Sequence, residues 1–215
     1  MKYRFLFFDL DGTLLNTLDD LRDAMNTILV RYQMAEITSA QTAAYLGNGA
    51  AHLVHCALPD GTDEALEKEI LAEYRKYYQE HCKVRTAPYA GIPELLEKLK
   101  AAGCVMAVVS NKPDAAVKEL NKEFFGGLVS TAIGESAEVR RKPAPDTVLE
   151  AMRQTGAEPE NSVYIGDSEV DIQTAQNAGL PCISVSWGFR SVDELKAAGA
   201  KHIADTPETL EKILQ

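Results

Sequence analysis

The chain has 215 residues, and its 32 acidic against 22 basic residues give a formal net charge of −10. A field of that sign repels nucleic acids and anionic lipid surfaces, so we expect neither as a partner. Hydrophobic residues make up 46% and charged residues 25% of the chain. These fractions exclude a disordered or fibrous protein and predict a packed core.

The first apolar run, residues 5–8, is interrupted by Asp9 and Asp11. It is too short for a signal-peptide core or for the roughly 20 residues of a membrane span. The four cysteines are widely spaced and include no C-x-x-C pair, which predicts reduced core cysteines and no zinc site. We therefore expect a cytoplasmic protein.

The first predicted strand covers residues 4–8, and a stretch of 17–82 follows in which helical patterns recur without a strand among them. Within it, helices are predicted at 21–32 and 63–81, and Thr17-x-x-Asp20 resembles a capping arrangement. We interpret residues 16–83 as an inserted all-helical domain that could hinge over the ends of the strands.

Strands and helices alternate along the rest of the chain. Strands are predicted at 104–109, 128–133, 162–165 and 182–185, and helices at 93–102, 146–154, 170–178, 192–198 and 207–214. This alternation is typical of a Rossmann-like, mostly parallel sheet with helices on both faces. The α/β core domain would consist of residues 1–15 and 84–215.

Polar side chains follow three of these strands. Asp9 and Asp11 come after the first strand, segment 110–112 (Ser-Asn-Lys) after the second, and Asp167 and Asp171 after the strand at 162–165. Ligands of open α/β sheets bind at the carboxyl ends of the strands, so these groups are expected at one edge. Lys112 could add a second ammonium to this edge, or it could face solvent with its helix starting at Pro113.

Four carboxylates gathered at one edge would raise one another's pKa, so a hard divalent cation is their natural partner. Oxygen ligands without His or Cys favour Mg²⁺ over zinc. Ser110, Lys142 and the backbone N–H groups after Asp9 supply donors suited to a phosphate.

These segments resemble the four signature motifs of the haloacid dehalogenase-like superfamily, and they occur in the family's order. The motifs are Asp9-Leu10-Asp11-Gly12-Thr13, Ser110, Lys142, and Gly166-Asp167-Ser168-x-x-Asp171. The resemblance implies the family's α/β core with an inserted helical cap of the first type (C1). Dehalogenases lack an acid two residues after the nucleophile, so the presence of Asp11 indicates phosphoryl transfer.

The resemblance also implies roles for individual residues. Asp9 would be the nucleophile that forms an aspartyl-phosphate, and Asp11 the general acid and base. Mg²⁺ would be held by Asp9, the Asp11 backbone carbonyl and Asp167, with Asp171 binding it directly or supporting its ligands. The transferring phosphoryl group would be bound by Leu10, Ser110, Asn111 and Lys142.

Within the predicted cap, Gly47, Asn48 and Gly49 form a turn whose glycines suit positive φ, and which could contact substrate. Residues 35–60 contain no Lys or Arg, which argues against a second substrate phosphate and favours a small monophosphate. The segments Ser-Asn-Lys-Pro and Lys-Pro-Ala-Pro-Asp look like the phosphoglycolate phosphatase branch of the superfamily.

Several alternatives remain open at this level. The branch also includes pyrophosphatases, nucleotidases and sugar phosphatases, and a mutase similar to β-phosphoglucomutase would use the same core motifs. A non-enzymatic phospho-acceptor switch is a remote alternative, since that class is shorter and has no cap. The expected partner is a small phosphorylated metabolite, and the chain is expected to be a monomer or weak homodimer.

Overall fold

A computed structural model describes residues 1–215, which fold into eight strands and ten α-helices. The strands are β1 (Phe5–Phe8), β2 (Leu15–Asn16), β3 (Ala87–Pro88), β4 (Val105–Pro113), β5 (Thr131–Glu135), β6 (Ser162–Gly166), β7 (Cys182–Val185) and β8 (Ile203–Ala204). The helices are α1 (Leu18–Arg31), α2 (Ser39–Tyr45), α3 (Ala50–Ala57), α4 (Glu64–His81), α5 (Ile92–Ala101), α6 (Asp114–Phe125), α7 (Asp146–Thr155), α8 (Glu169–Asn177), α9 (Val192–Ala197) and α10 (Pro207–Leu214).

Six strands form one parallel sheet in the order β5-β4-β1-β6-β7-β8. β1 lies between β4 and β6, with Phe8 opposite Val108 on one side and Ile165 on the other. The carboxyl ends of these three strands are therefore neighbours, at a point where the chain order switches direction. The predicted mostly parallel α/β fold is confirmed.

Both faces of the sheet are buried. Phe5 and Phe7 pack in a cluster with Tyr164 of β6 and with Val148 of α7. Leu6 and Phe8, which alternate with them along β1, point to the opposite face and are also fully buried. Helices cover both faces, which is why β1 is a continuous apolar run.

The chain divides into two compact units, the first made of Met1–Leu15 and Pro88–Gln215 and the second of Asn16–Ala87. The second unit contains α1 to α4, packed around apolar side chains such as Met25, Ile28 and Tyr74. The two connecting segments pair as the short strands β2 and β3. No helix of the chain is both long and apolar enough to cross a membrane.

The capping arrangement expected for Thr17 and Asp20 is wrong. The Thr17 side chain makes no capping hydrogen bond to α1. The buried Asp20 carboxylate instead accepts the backbone N–H of Arg85, at 2.9 and 3.0 Å, and that of Thr86, at 2.8 Å. These bonds attach the segment after α4 to α1, so the second unit extends beyond residue 83.

Candidate active site

Asp9 follows β1 directly at the carboxyl edge of the sheet and is almost fully buried. Its Oδ1 accepts the backbone N–H of Leu10 at 2.6 Å and lies 2.8 Å from the Nζ of Lys142. One carboxylate oxygen is thus fixed by a backbone donor and a buried cation. A carboxylate held in this way is oriented for reaction before any ligand arrives.

Lys142 lies in the segment before α7, and its ammonium is enclosed by three oxygens. Besides Asp9, these are Asp171 Oδ1 at 2.7 Å and the Tyr164 hydroxyl at 3.2 Å. The Asn111 side chain holds the Lys142 backbone, accepting its N–H at 2.6 Å and donating to its carbonyl at 3.0 Å. Asn111 therefore links the end of β4 to the segment that carries the cation.

Asp171 lies in the first turn of α8 and uses both carboxylate oxygens for protein contacts. Oδ2 accepts the Ser168 N–H at 3.1 Å and hydroxyl at 2.6 Å, which completes a capping box. Oδ1 accepts the Tyr164 hydroxyl at 2.8 Å and pairs with Lys142. This carboxylate orients the lysine and the start of α8.

Asp167 follows β6, and two loops enclose its carboxylate. Oδ1 accepts the Thr13 hydroxyl at 3.2 Å, and Oδ2 accepts the Phe189 N–H at 2.7 Å. Gly12, with φ +82°, passes so close that a Cβ there would lie 2.3 Å from Asp167 Oδ2. A Cβ on Gly188 would lie 2.4 Å from the same oxygen.

The loop after β7 is a part of the site that the sequence interpretation missed. Trp187 donates its indole N–H to the Thr13 carbonyl at 3.0 Å, which ties this loop to the one that follows β1. Together with the Phe189 N–H and the close approach of Gly188, this contact fixes the surroundings of Asp167. In the sequence, the Trp187-Gly188 pair after the strand predicted at 182–185 could have indicated this part of the site.

Of the two placements left open for Lys112 by the sequence, the structure has the buried one at the sheet edge. Its Nζ lies 3.0 Å from Asp11 Oδ1. The reason is that β4 continues beyond Val109 to Pro113, so that Lys112 belongs to the strand end and α6 begins only at Asp114.

Ser110 is buried at the carboxyl end of β4, and its hydroxyl accepts the Lys112 N–H at 3.3 Å. The Gly47-Asn48-Gly49 turn joins α2 and α3 within the second unit, with φ values of 109° at Gly47 and 82° at Gly49. The four core motifs thus meet at one sheet edge, while the glycine turn belongs to the other unit.

The electrostatics of the cluster are dominated by burial. Burial raises the pKa of Asp9 well above its usual range, and Asp171 adds to this effect while Lys142 opposes it. Burial, with a contribution from Asp171, raises the pKa of Asp167 to about 7. Burial also acts to raise the pKa of Asp171, but the neighbouring ammonium of Lys142 outweighs it and lowers that pKa.

Carboxylate oxygens of Asp9, Asp167 and Asp171 all lie within 4.8 Å of one another. With all three groups ionised, the ammonium of Lys142 offsets one negative charge and two remain. An oxygen-only donor set with that excess fits a divalent metal ion, because such an ion would offset the burial cost that raises the pKa values of Asp9 and Asp167.

Comparisons with known proteins show which family the chain belongs to. The family described as haloacid dehalogenase-like hydrolase matches residues 6–185. The phosphoglycolate phosphatase of Aquifex aeolicus is 32% identical over 191 residues, covering 86% of each chain. The N-acetylmuramic acid 6-phosphate phosphatase of Pseudomonas aeruginosa is 29% identical over 216 residues, covering 100% of this chain and 96% of that protein.

Among solved structures, a Lactobacillus delbrueckii subsp. bulgaricus protein is 37% identical, with a TM-score of 0.95 over 100% of this chain and 99% of the other. Its assignment as a phosphoglycolate phosphatase is itself a prediction. The family match and these relatives indicate a phosphoric monoester hydrolase. The chain belongs to the haloacid dehalogenase-like hydrolases, in the part of that family that resembles phosphoglycolate phosphatases.

Proposed function

We propose that the chain hydrolyses a small phosphate monoester through an aspartyl-phosphate on Asp9, with Mg²⁺ as cofactor and phosphoglycolate as the first substrate to test. The observation that carries the proposal is the buried Asp9, held by Lys142 and the Leu10 N–H at the carboxyl end of β1. The second acid, Asp11, lies two residues further on.

In the first step, Asp9 Oδ2 attacks phosphorus, because Oδ1 is already held by Leu10 and Lys142. As the new O–P bond forms, the ester O–P bond breaks, and Asp11 donates its proton to the leaving alkoxide. In the second step, Asp11 takes a proton from a water molecule that attacks the phosphoryl group. Inorganic phosphate leaves, and the Asp9 carboxylate is restored.

Mg²⁺ would be held by Asp9, the backbone carbonyl of Asp11 and Asp167. When bound, it supplies positive charge to the phosphoryl oxygens, where charge stabilisation contributes most to phosphoryl transfer. Asp171 contributes indirectly, because its two oxygens are engaged by Lys142, Tyr164 and Ser168.

Ser110 and Lys142 are the proposed donors to the phosphoryl oxygens, together with backbone N–H groups after Asp9. We assign Asn111 a supporting role, because its amide holds the Lys142 backbone. The second unit is the proposed cap, with the Gly47-Asn48-Gly49 turn as a candidate for substrate contact and closure as the step that excludes water.

Phosphoglycolate is the first candidate because phosphoglycolate phosphatases recur among the relatives that cover two thirds or more of this chain. A sugar phosphate is the second candidate, since the Pseudomonas aeruginosa relative that acts on N-acetylmuramic acid 6-phosphate aligns over the whole chain. The partner is a small metabolite, and a cytoplasmic location remains part of the proposal.

Asp9→Asn tests the mechanism. We expect kcat to fall at least about 10³-fold, because the amide cannot act as the nucleophile. Asp60→Asn, at an exposed turn, is the matched control and should leave kcat unchanged. Substrate labelled in the phosphoryl group should leave acid-quenched label on the wild-type chain and none on Asp9→Asn, whereas full turnover by Asp9→Asn would exclude the mechanism.

The substrate is tested by ranking kcat/KM for phosphoglycolate, sugar phosphates, nucleotides and pyrophosphate under Mg²⁺. A higher value for a sugar phosphate would replace the first candidate with the second. Isomerisation of a hexose phosphate without net phosphate release would instead identify a mutase.

A further inference from the structure

A second buried lysine lies at the same sheet edge and has no part in the mechanism above. The Lys112 side chain is 8% exposed, and its Nζ contacts Asp11 Oδ1 at 3.0 Å. Asp11 itself is 19% exposed in its side chain. Removing an ammonium from water is costly, so a lysine is rarely buried unless its charge is paired.

The backbone that carries Lys112 is held on two sides. Its N–H donates to the Ser110 hydroxyl at 3.3 Å, and the following residue, Pro113, pairs with Glu135 of β5 beyond an irregularity in register. Gly134 of β5 passes so close that a Cβ there would lie 2.5 Å from the Lys112 carbonyl. The backbone at the end of β4 is therefore fixed, and its course directs the Lys112 side chain towards Asp11.

The two buried lysines of the site therefore have different aspartate partners, and Lys142 also pairs with Asp171. Lys142 pairs with Asp9, the proposed nucleophile, and Lys112 pairs with Asp11, the proposed acid and base. A charged hydrogen-bond donor restricts the rotation of a carboxyl group, and the rate of proton transfer depends on where that group is held.

We infer that Lys112 is a positioning residue that holds the Asp11 carboxyl group in place for proton transfer to the leaving group. The inference rests on the proposed function. Because Lys112 acts through Asp11, replacing Lys112 should slow the reaction most for substrates whose leaving group needs a proton.

The test compares Lys112→Met, which keeps the aliphatic stem and removes the ammonium, with Lys118→Met. Lys118 is the matched control, because it makes an exposed pair with Asp114 at 2.6 Å on α6. Each variant is assayed with an alkyl phosphate and with p-nitrophenyl phosphate, whose phenolate leaves with little need for a proton. The parameter is kcat/KM, which covers events up to the breaking of the ester bond.

For Lys112→Met we expect kcat/KM to fall about 10-fold or more with the alkyl phosphate, which is part of the roughly 10²–10⁴-fold that general acid catalysis contributes. The aryl phosphate should lose clearly less, and Lys118→Met should behave as wild type on both. Lys112→Arg, which keeps the charge, should recover most of the loss on the alkyl phosphate.

A double variant separates positioning from a purely structural role. In an Asp11→Asn background, Lys112→Met should cost little further activity, because the group it positions is gone. Equal losses on both substrates, or losses that add in the double variant, would overturn the inference. Circular dichroism checks the fold, and Lys112→Gln replaces the methionine variant in the same assays if that variant does not fold.

Failure of the inference differs from failure of the proposed function. Phosphatase activity that disappears in Asp9→Asn but is unchanged in Lys112→Met keeps the function and overturns the role of Lys112. Activity that survives Asp9→Asn overturns the mechanism itself, and with it the role of Lys112.

Discussion

The sheet edge of the first, α/β unit and the surface of the second, helical unit hold their ion pairs in different surroundings. In the α/β unit, charged groups of the site are buried and paired, as in Lys142 with Asp171, whose side chains are 2% and 0% exposed. In the helical unit, pairs such as Lys68 with Glu64 are 72% and 82% exposed. Buried pairs are costly to disrupt, whereas exposed pairs contribute little to stability.

This difference indicates where substitutions should be felt. Replacing a buried charged residue at the sheet edge should change both the free energy of unfolding and the activity. The reason is that each of these residues contacts more than one other residue of the site, as Lys142 contacts Asp9, Asp171 and Tyr164. A change to a charge on the helical surface should affect neither. The following predictions compare the two units, from the largest expected effect to the smallest.

Lys142→Met should have the largest effect. It leaves the Asp9 and Asp171 carboxylates buried without their cation, which should lower the free energy of unfolding by about 3–5 kcal/mol. Lys68→Met, the matched change in the helical unit, should alter it by less than about 1 kcal/mol. Urea unfolding in the presence of a chelator measures both, and similar values for the two variants would refute the comparison.

Gly12→Ala and Gly61→Ala separate backbone strain from steric conflict. The two glycines have nearly equal φ values, +82° and +80°, but an added Cβ meets Asp167 at Gly12 and open space at Gly61. Both variants should lose about 1–2 kcal/mol to the left-handed backbone. Only Gly12→Ala should also lose phosphatase turnover and divalent-metal binding, as measured by kcat and by calorimetric titration.

Retained metal affinity in Gly12→Ala would show that a displacement of Asp167 does not impair metal binding. Loss of turnover in Gly61→Ala would show that turnover depends on the turn between α3 and α4, and would contradict the comparison.

The effect of Mg²⁺ on stability should depend on pH. The pKa of Asp167 is raised to about 7, so between its ordinary value and 7 the folded chain binds a proton that the unfolded chain releases. This group therefore destabilises the metal-free fold as pH rises through that range. Since Mg²⁺ needs the carboxylate, its stabilising effect should be larger at pH 8 than at pH 5.5.

At saturating Mg²⁺ we expect the melting temperature at pH 8 to rise by about 5–10 °C, from the linkage of binding to unfolding. Asp167→Asn should lose most of this gain, whereas Asp60→Asn in the helical unit should keep it. A gain that is independent of pH, or unchanged in Asp167→Asn, would argue against Asp167 as a ligand.

Much of the sheet could be predicted because its strands are buried on both faces and read as continuous apolar runs. β7 was predicted at its observed bounds, Cys182–Val185, and α10 at Pro207–Leu214. The short edge strand β8 was missed, since two residues are too few to show a pattern. The end of β4 was also misjudged, because polar residues 110–112 look like a loop although they continue the strand.

The sequence by itself determined the fold class and the positions of the acids, because carboxylates that directly follow buried strands can lie only at one edge of a parallel sheet. Only the tertiary structure decided how these groups pair. Asp171 is engaged by Lys142 and Tyr164, Asn111 holds a backbone 31 residues away, and Lys112 turns inwards to Asp11. Such pairings depend on distances between strand ends and loops that are far apart along the chain, and local sequence patterns carry no information about those distances.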